Sequence, residues 1–149
     1  MSLKINGVHP NLFPAEKLRA YPHMRPADVL IWERFLEAHR GEFDSFAYDV
    51  AVGSPYTPPE DWSNSQKIAA IWLSKKKIDV VGFQGKKRFI IEVKPSAMSS
   101  AIGQALCYLE LYKVAFGKDL ELIPAIVTDV RGPDFEFLCK MLGVLILFP

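Results

Sequence analysis

KIDVVGFQGKKRFIIEVK, residues 77–94, decides how this chain folds. Both halves are rich in β-branched and aromatic residues, the composition that strands favour. Between them, Gly85-Lys86 fits a two-residue turn with glycine at its first central position, the type II′ preference. Such a turn fixes an antiparallel register: Gln84 with Lys87, Phe83 with Arg88, Gly82 with Phe89, Val81 with Ile90, Val80 with Ile91, then Asp79 with Glu92. One face then carries Val81–Ile90, Asp79–Glu92 and Lys77–Lys94, because strand side chains alternate with period two. The other face holds Ile78, Val80, Phe89, Ile91 and Val93 and is wholly apolar. Directly opposed carboxylates have Cβ atoms about 5 Å apart and destabilise the pair. A divalent cation between them removes the conflict, since hard ions such as Mg²⁺ take carboxylate oxygens. A three-residue turn would make the pairing diagonal and still leave both acids close.

Outward from the hairpin, the pattern mixes helices and strands. PADVLIWERFLEAHRG predicts a helix with Pro26 in its first turn, an apolar stripe of Ile31, Trp32, Phe35 and Leu36, and Gly41 as its stop. FDSFAYDVAV reads as a strand, GSPYTPPEDWSNS as a loop, and QKIAAIWLSK as a short helix with Ile68, Ile71 and Trp72 at helical spacing. After the hairpin, a long helix over 98–116 closes at Gly117. ELIPAIVTDV follows as a strand, PDFEFLCKML as a short helix and VLILF as a last strand. The fold class is therefore α/β: one mixed sheet flanked by helices. Residues 1–26, punctuated by four prolines, read as an irregular arm with one helical turn near AEKLRA; residues 27–149 form the domain.

The 149 residues suffice for one domain with a core, and half of them are hydrophobic. No apolar run is long enough to span a bilayer, and the N-terminus does not read as a signal peptide. Cys107 and Cys139 lack CxxC spacing; two free thiols fit a reducing, cytoplasmic setting. His9, His23 and His39 show no zinc-ligand spacing and read as structural or exposed. Net charge is +1, yet residues 75–94 carry +5, leaving −4 on the rest. Lys75, Lys76, Lys86, Lys87 and Arg88 are candidates for phosphate contacts, which bring affinity without sequence readout. A solvated hairpin tip explains the same lysines equally well. Tyr56 and Trp62 in the loop are candidates for stacking on a base, or for core and lid packing.

Asp79, a twelve-residue gap, then EVK at 92–94 resembles the PD-(D/E)XK nuclease superfamily, whose common core runs αβββαβ. The resemblance covers about residues 27–130. Ile78 stands where the family has proline. GQALCY, with Gln104 and Tyr108 one helical turn apart, resembles the QxxxY element of RecB-like and lambda-exonuclease-like members. The resemblance implies a restriction-endonuclease-like core and a Mg²⁺ site (Mn²⁺ substituting) on Asp79, Glu92 and the Val93 carbonyl. It implies Lys94 as the catalytic base or water-orienting group, Gln104 as a positioning residue, Tyr108 in support and Glu33 as a first-helix ligand. The implied activity is metal-dependent hydrolysis of DNA, as endo- or exonuclease. RNA is a further candidate substrate. A different class of reading is an idle nuclease-fold module that binds nucleic acid or joins an assembly, as a homo-oligomer or with partner subunits, in a phage or mobile-element complex. An E-x-K alone is weak, since a solvated strand end with an ion pair produces it as well; the register with Asp79 and the following helix give it weight.

Overall fold

A computed structural model describes residues 11–54, 56–74 and 76–149. His9 and Lys75 lie outside the described residues. The order is β1 (Phe13–Pro14), α1 (Pro26–Ala38), β2 (Ser45–Val52), α2 (Asn64–Leu73), β3 (Lys76–Gln84), β4 (Lys87–Val93), α3 (Ser99–Phe116), β5 (Glu121–Val127), α4 (Pro133–Leu142) and β6 (Leu145–Leu147). The strands lie side by side in chain order in one sheet. β1 to β4 form an antiparallel meander, and β5 and β6 then add in parallel, each after a helical crossover. This is the expected mixed α/β architecture. The hairpin register is also as predicted, from Gln84↔Lys87 to Val80↔Ile91. Gly85 has φ +56°, as a primed turn requires. No helix among the described residues is long and apolar enough to cross a membrane.

Each face of the sheet is closed by a helix. α1 lays Trp32, Phe35 and Leu36 on Phe46, Tyr48, Val80, Ile91 and Val93. Inside this layer, the Trp32 indole donates to the Tyr48 hydroxyl at 3.1 Å. α3 places Leu109 and Tyr112 on Ala47, Val50, Ile78, Val81 and Ile90. Its other contacts, with α4 and β5, bury Ile102, Ala105, Phe135 and Cys139.

Two expectations are corrected. Residues 15–20 form no helical turn; Phe13–Pro14 of the arm pairs with Phe46 and Ser45, and Tyr21 is buried. A two-residue edge strand containing proline leaves no readable alternation. α2 forms as expected, capped by Ser63, with no residue on it buried and Leu73 82% exposed. The second correction concerns the pleat. Tyr48 and Val80 face α1, whereas Val50 and Ile78, two residues along, face α3. Ile78 therefore does not share a face with Val80. The alternation breaks at Asp49, whose φ is +55°, a left-handed value that Asp tolerates better than most residues. The β2–β3 ladder skips Asp49 and Asp79 and resumes at Val50↔Ile78.

Candidate active site

Strands β3 and β4 part where the hairpin pattern placed its two acids. Val80↔Ile91 is the last bridged pair. Beyond it the Asp79 side chain takes over: Oδ2 accepts from the Val93 backbone N–H at 2.9 Å. Glu92 projects from β4 and is only 2% exposed. Its charge and that of Asp79 act on each other. Its Oε2 lies 3.6 Å from Lys94 Nζ, while Oε1 is buried without a hydrogen-bond partner among the described residues. The backbone of Lys94 is fixed from the far side, by its N–H on the Val127 carbonyl of β5 at 3.0 Å.

Burial makes this arrangement costly for negative charge. It pushes the Glu92 carboxyl up to about 8, Asp79 adds repulsion, and Lys94 works against both. Asp79 is also raised, first by burial, against the stabilising Val93 N–H and the nearby Lys94. Tyr108 on α3 is raised by burial and by the charges of Glu92 and Asp79, so its hydroxyl lies within electrostatic reach of the pair. Gln104 is half-buried one turn earlier on the same helix.

A cleft of about 470 Å³ opens at the fork, lined by Asp79, Val93 and Lys94 on the sheet side and by His23, Arg25 and Asp28 on the side of the arm and α1. The structure thus brings together Asp79, Glu92, Val93 and Lys94, with Tyr108 near. It does not bring Glu33. Tyr21 donates to Glu33 Oε1 at 3.5 Å, and Glu33 lines a separate cleft with Met24 and Leu30. Asp28 is the α1 acid that faces the fork, and its charge is felt by Asp79. Five residues later the helix has turned by about 500° and risen by about 7.5 Å, which carries Glu33 away. Asp28 was legible as a first-turn acid behind Pro26. His23 and Arg25 were not, because the arm has no periodicity to place them. No group of three or more His, Cys, Asp and Glu side chains suited to a metal occurs among the described residues.

The basic residues divide. Lys86 is exposed at the turn and Lys76 is exposed on β3. Lys87 Nζ is 3.9 Å from Glu121 Oε1. Arg88 is engaged internally: it donates to the Tyr112 hydroxyl at 2.8 Å and sits 5.3 Å from the Phe83 ring centre. The hairpin tip and the fork are at opposite ends of the β3–β4 ladder. Tyr56 and Trp62 are partly exposed in the loop.

No protein-family model matches the chain, and no curated protein matches it in sequence. Two solved structures are similar to most of it. One is a protein of unknown function, AF1548, with 17% identity and a TM-score of 0.46, covering 80% of this chain and 54% of that one. The other is protein VC1899 from Vibrio cholerae, with 15% identity and a TM-score of 0.45, covering 82% of this chain and 30% of that one. The chain therefore spans about half the length of the first and less than a third of the second.

Proposed function

We propose that the chain is a metal-dependent nuclease that hydrolyses phosphodiester bonds, with DNA as its substrate. The observation that supports this most is the buried, unpartnered Oε1 of Glu92, whose carboxyl repels that of Asp79 and lies 3.6 Å from Lys94, two residues that line the cleft. An ion pair at a solvated strand end would leave no oxygen buried and unsatisfied, since such atoms cost free energy. The donor chemistry is that of a hard divalent cation, since the Asp79 and Glu92 carboxyls repel each other and Asp28 lines the same cleft as Asp79. Asp79 and Glu92 would hold Mg²⁺, with Mn²⁺ as substitute; the metal supplies Lewis acidity at the phosphate and a more acidic water.

The chain's own residues do the rest. Lys94 orients the attacking water and offsets charge gathering on the phosphate oxygens in the transition state. Asp79, held on the Val93 N–H, keeps the fork open at a fixed width. Gln104 positions the lysine, the water or a phosphate oxygen, and Tyr108 supports the pair from α3. Lys76, Lys86 and Lys87 supply phosphate contacts along the strands.

A second reading, an idle module within a larger assembly, draws on the exposed apolar side chains of α2 and α4, including Ile68, Leu73, Phe137 and Met141. The decisive experiment is cleavage of labelled linear, circular, single-stranded and branched DNAs with Mg²⁺ and with Mn²⁺. Cleavage that chelation and Lys94→Ala both abolish supports the nuclease. An inert wild-type protein, with no change in melting temperature on adding either metal, favours the assembly module.

A further inference from the structure

The described residues contain two non-glycine positions with left-handed backbone, His23 at φ +56° and Asp49 at φ +55°, and they touch each other. His23 Nε2 lies 3.1 Å from Asp49 Oδ2, and Lys77 Nζ lies 3.0 Å from the same oxygen and 3.5 Å from the imidazole. Residues held in sparsely populated conformations persist where their surroundings over-determine them, and they concentrate at functional sites. Here the strain has a visible result. It pins the arm to the sheet at the point where the pleat breaks, and it sets His23 and Arg25 on the wall of the cleft that holds Asp79 and Lys94.

Arg25 is the informative member. Its backbone N–H is satisfied by Asp28 Oδ2 at 3.0 Å, which closes the first turn of α1. Its guanidinium takes no partner among the described residues. The neighbouring cations are committed elsewhere, Lys77 to Asp49, Arg88 to Tyr112 and Lys94 to Glu92, while Lys76 and Lys86 do not line the cleft. An exposed guanidinium at the rim of a cleft, with the α1 N-terminus behind it, suits a planar oxyanion that can be held through two oxygens. His23 gives its Nε2–H to Asp49, so its Nδ1 can donate to a phosphate on the same wall when the ring carries both protons.

We propose that the arm segment carrying His23 and Arg25, pinned to Asp49, forms a second phosphate subsite. It holds an internal backbone phosphate of the strand whose scissile phosphate lies at Asp79 and Glu92. This rests on the nuclease reading and deepens it: the substrate is gripped at two phosphates of one strand, and the arm is part of the site.

The test is a scan of oligonucleotides, single-stranded and duplex, each with one uncharged methylphosphonate moved along the strand. Each is bound to the full chain carrying Lys94→Ala, with and without Arg25→Gln or His23→Gln. The expected result is one position, inside the strand, where the neutral linkage weakens binding by roughly tenfold, a loss that disappears with Arg25→Gln. His23→Gln should shrink the same loss and no other. If native DNA is bound but every position keeps its sensitivity in both variants, the subsite is overturned while the nuclease reading stands. A shared position only at a terminal phosphate also overturns it, in favour of end recognition. If the wild-type protein neither cleaves nor binds DNA, the nuclease reading fails, and this inference with it.

Discussion

At the scale of single residues, Asp79 serves the sheet and the site together. Its oxygen stands in for the next ladder acceptor by taking the Val93 N–H. Asp79→Asn keeps an acceptor there and removes one of two opposed charges, so it should lose metal binding while the metal-free protein melts no lower than wild type; a lower melting temperature would show that the charge itself holds the fork. Lys94→Ala should abolish cleavage and leave DNA affinity nearly intact, because its work falls in the transition state. Single-turnover rates beside equilibrium titrations separate the two. Glu92 gives a pH prediction with a definite sign. Its carboxyl is pushed up to about 8 from 4.5 in the folded chain, so the folded state holds the proton more tightly than the unfolded one. Metal-free stability should be full below about pH 4.5 and fall as pH rises towards about 8, by an amount on the order of a few kcal/mol. Glu92→Gln should flatten that slope and be the more stable form at the alkaline end. Denaturant midpoints across the range check it; an unchanged slope in the variant would place the titration elsewhere. Mg²⁺ should stabilise the wild-type protein more at the alkaline end, since the ion competes with the proton.

Among the elements, the hairpin was the most legible, because a two-residue turn leaves one register. The ladder nevertheless ends at Val80↔Ile91, short of the expected Asp79–Glu92 and Lys77–Lys94 pairs: the Asp79 carboxylate takes the Val93 N–H, and Lys77 turns to Asp49. The face of Ile78 did not follow, because period two holds only while the backbone stays extended, and one left-handed residue on the neighbouring strand, Asp49, turns both strands. Nor did the α1 acid: Glu33 sits beside the apolar stripe in sequence, but the orientation of α1 on the sheet sends Asp28 to the fork. β3 also contains a test of packing. A Cβ on Gly82 would stand 3.0 Å from two ring atoms of Phe43 and 3.1 Å from one of Phe46. Gly82→Ala should therefore cost about 1–3 kcal/mol by overpacking, seen as a lower thermal midpoint. A neutral outcome would mean that the Phe43 ring gives way freely.

Across the whole molecule, charge and chain order matter more than any pair of side chains. Lys86→Gln with Lys87→Gln should weaken all DNA sequences alike and make the log–log salt dependence shallower by up to about 0.9 per lost duplex contact. Filter binding at several salt concentrations measures this, and an unaltered slope would remove the hairpin tip from the binding surface. Arg88→Gln should behave differently and lower stability, because it removes the 2.8 Å hydrogen bond that Arg88 donates to the Tyr112 hydroxyl. The strand order has a consequence of its own. Every strand pairs with the one before it in the chain, so the sheet can be laid down in the direction of synthesis. The meander brings Asp79 and Glu92 together as soon as β4 is made. Yet the outer edge of β4 then waits for α3 and β5, and until Val127 arrives the Lys94 N–H has no carbonyl to hold it. The nascent chain thus carries its two acids early, its lysine loosely, and an open apolar strand edge between them, the interval in which an unfinished chain is most exposed to mispairing and aggregation.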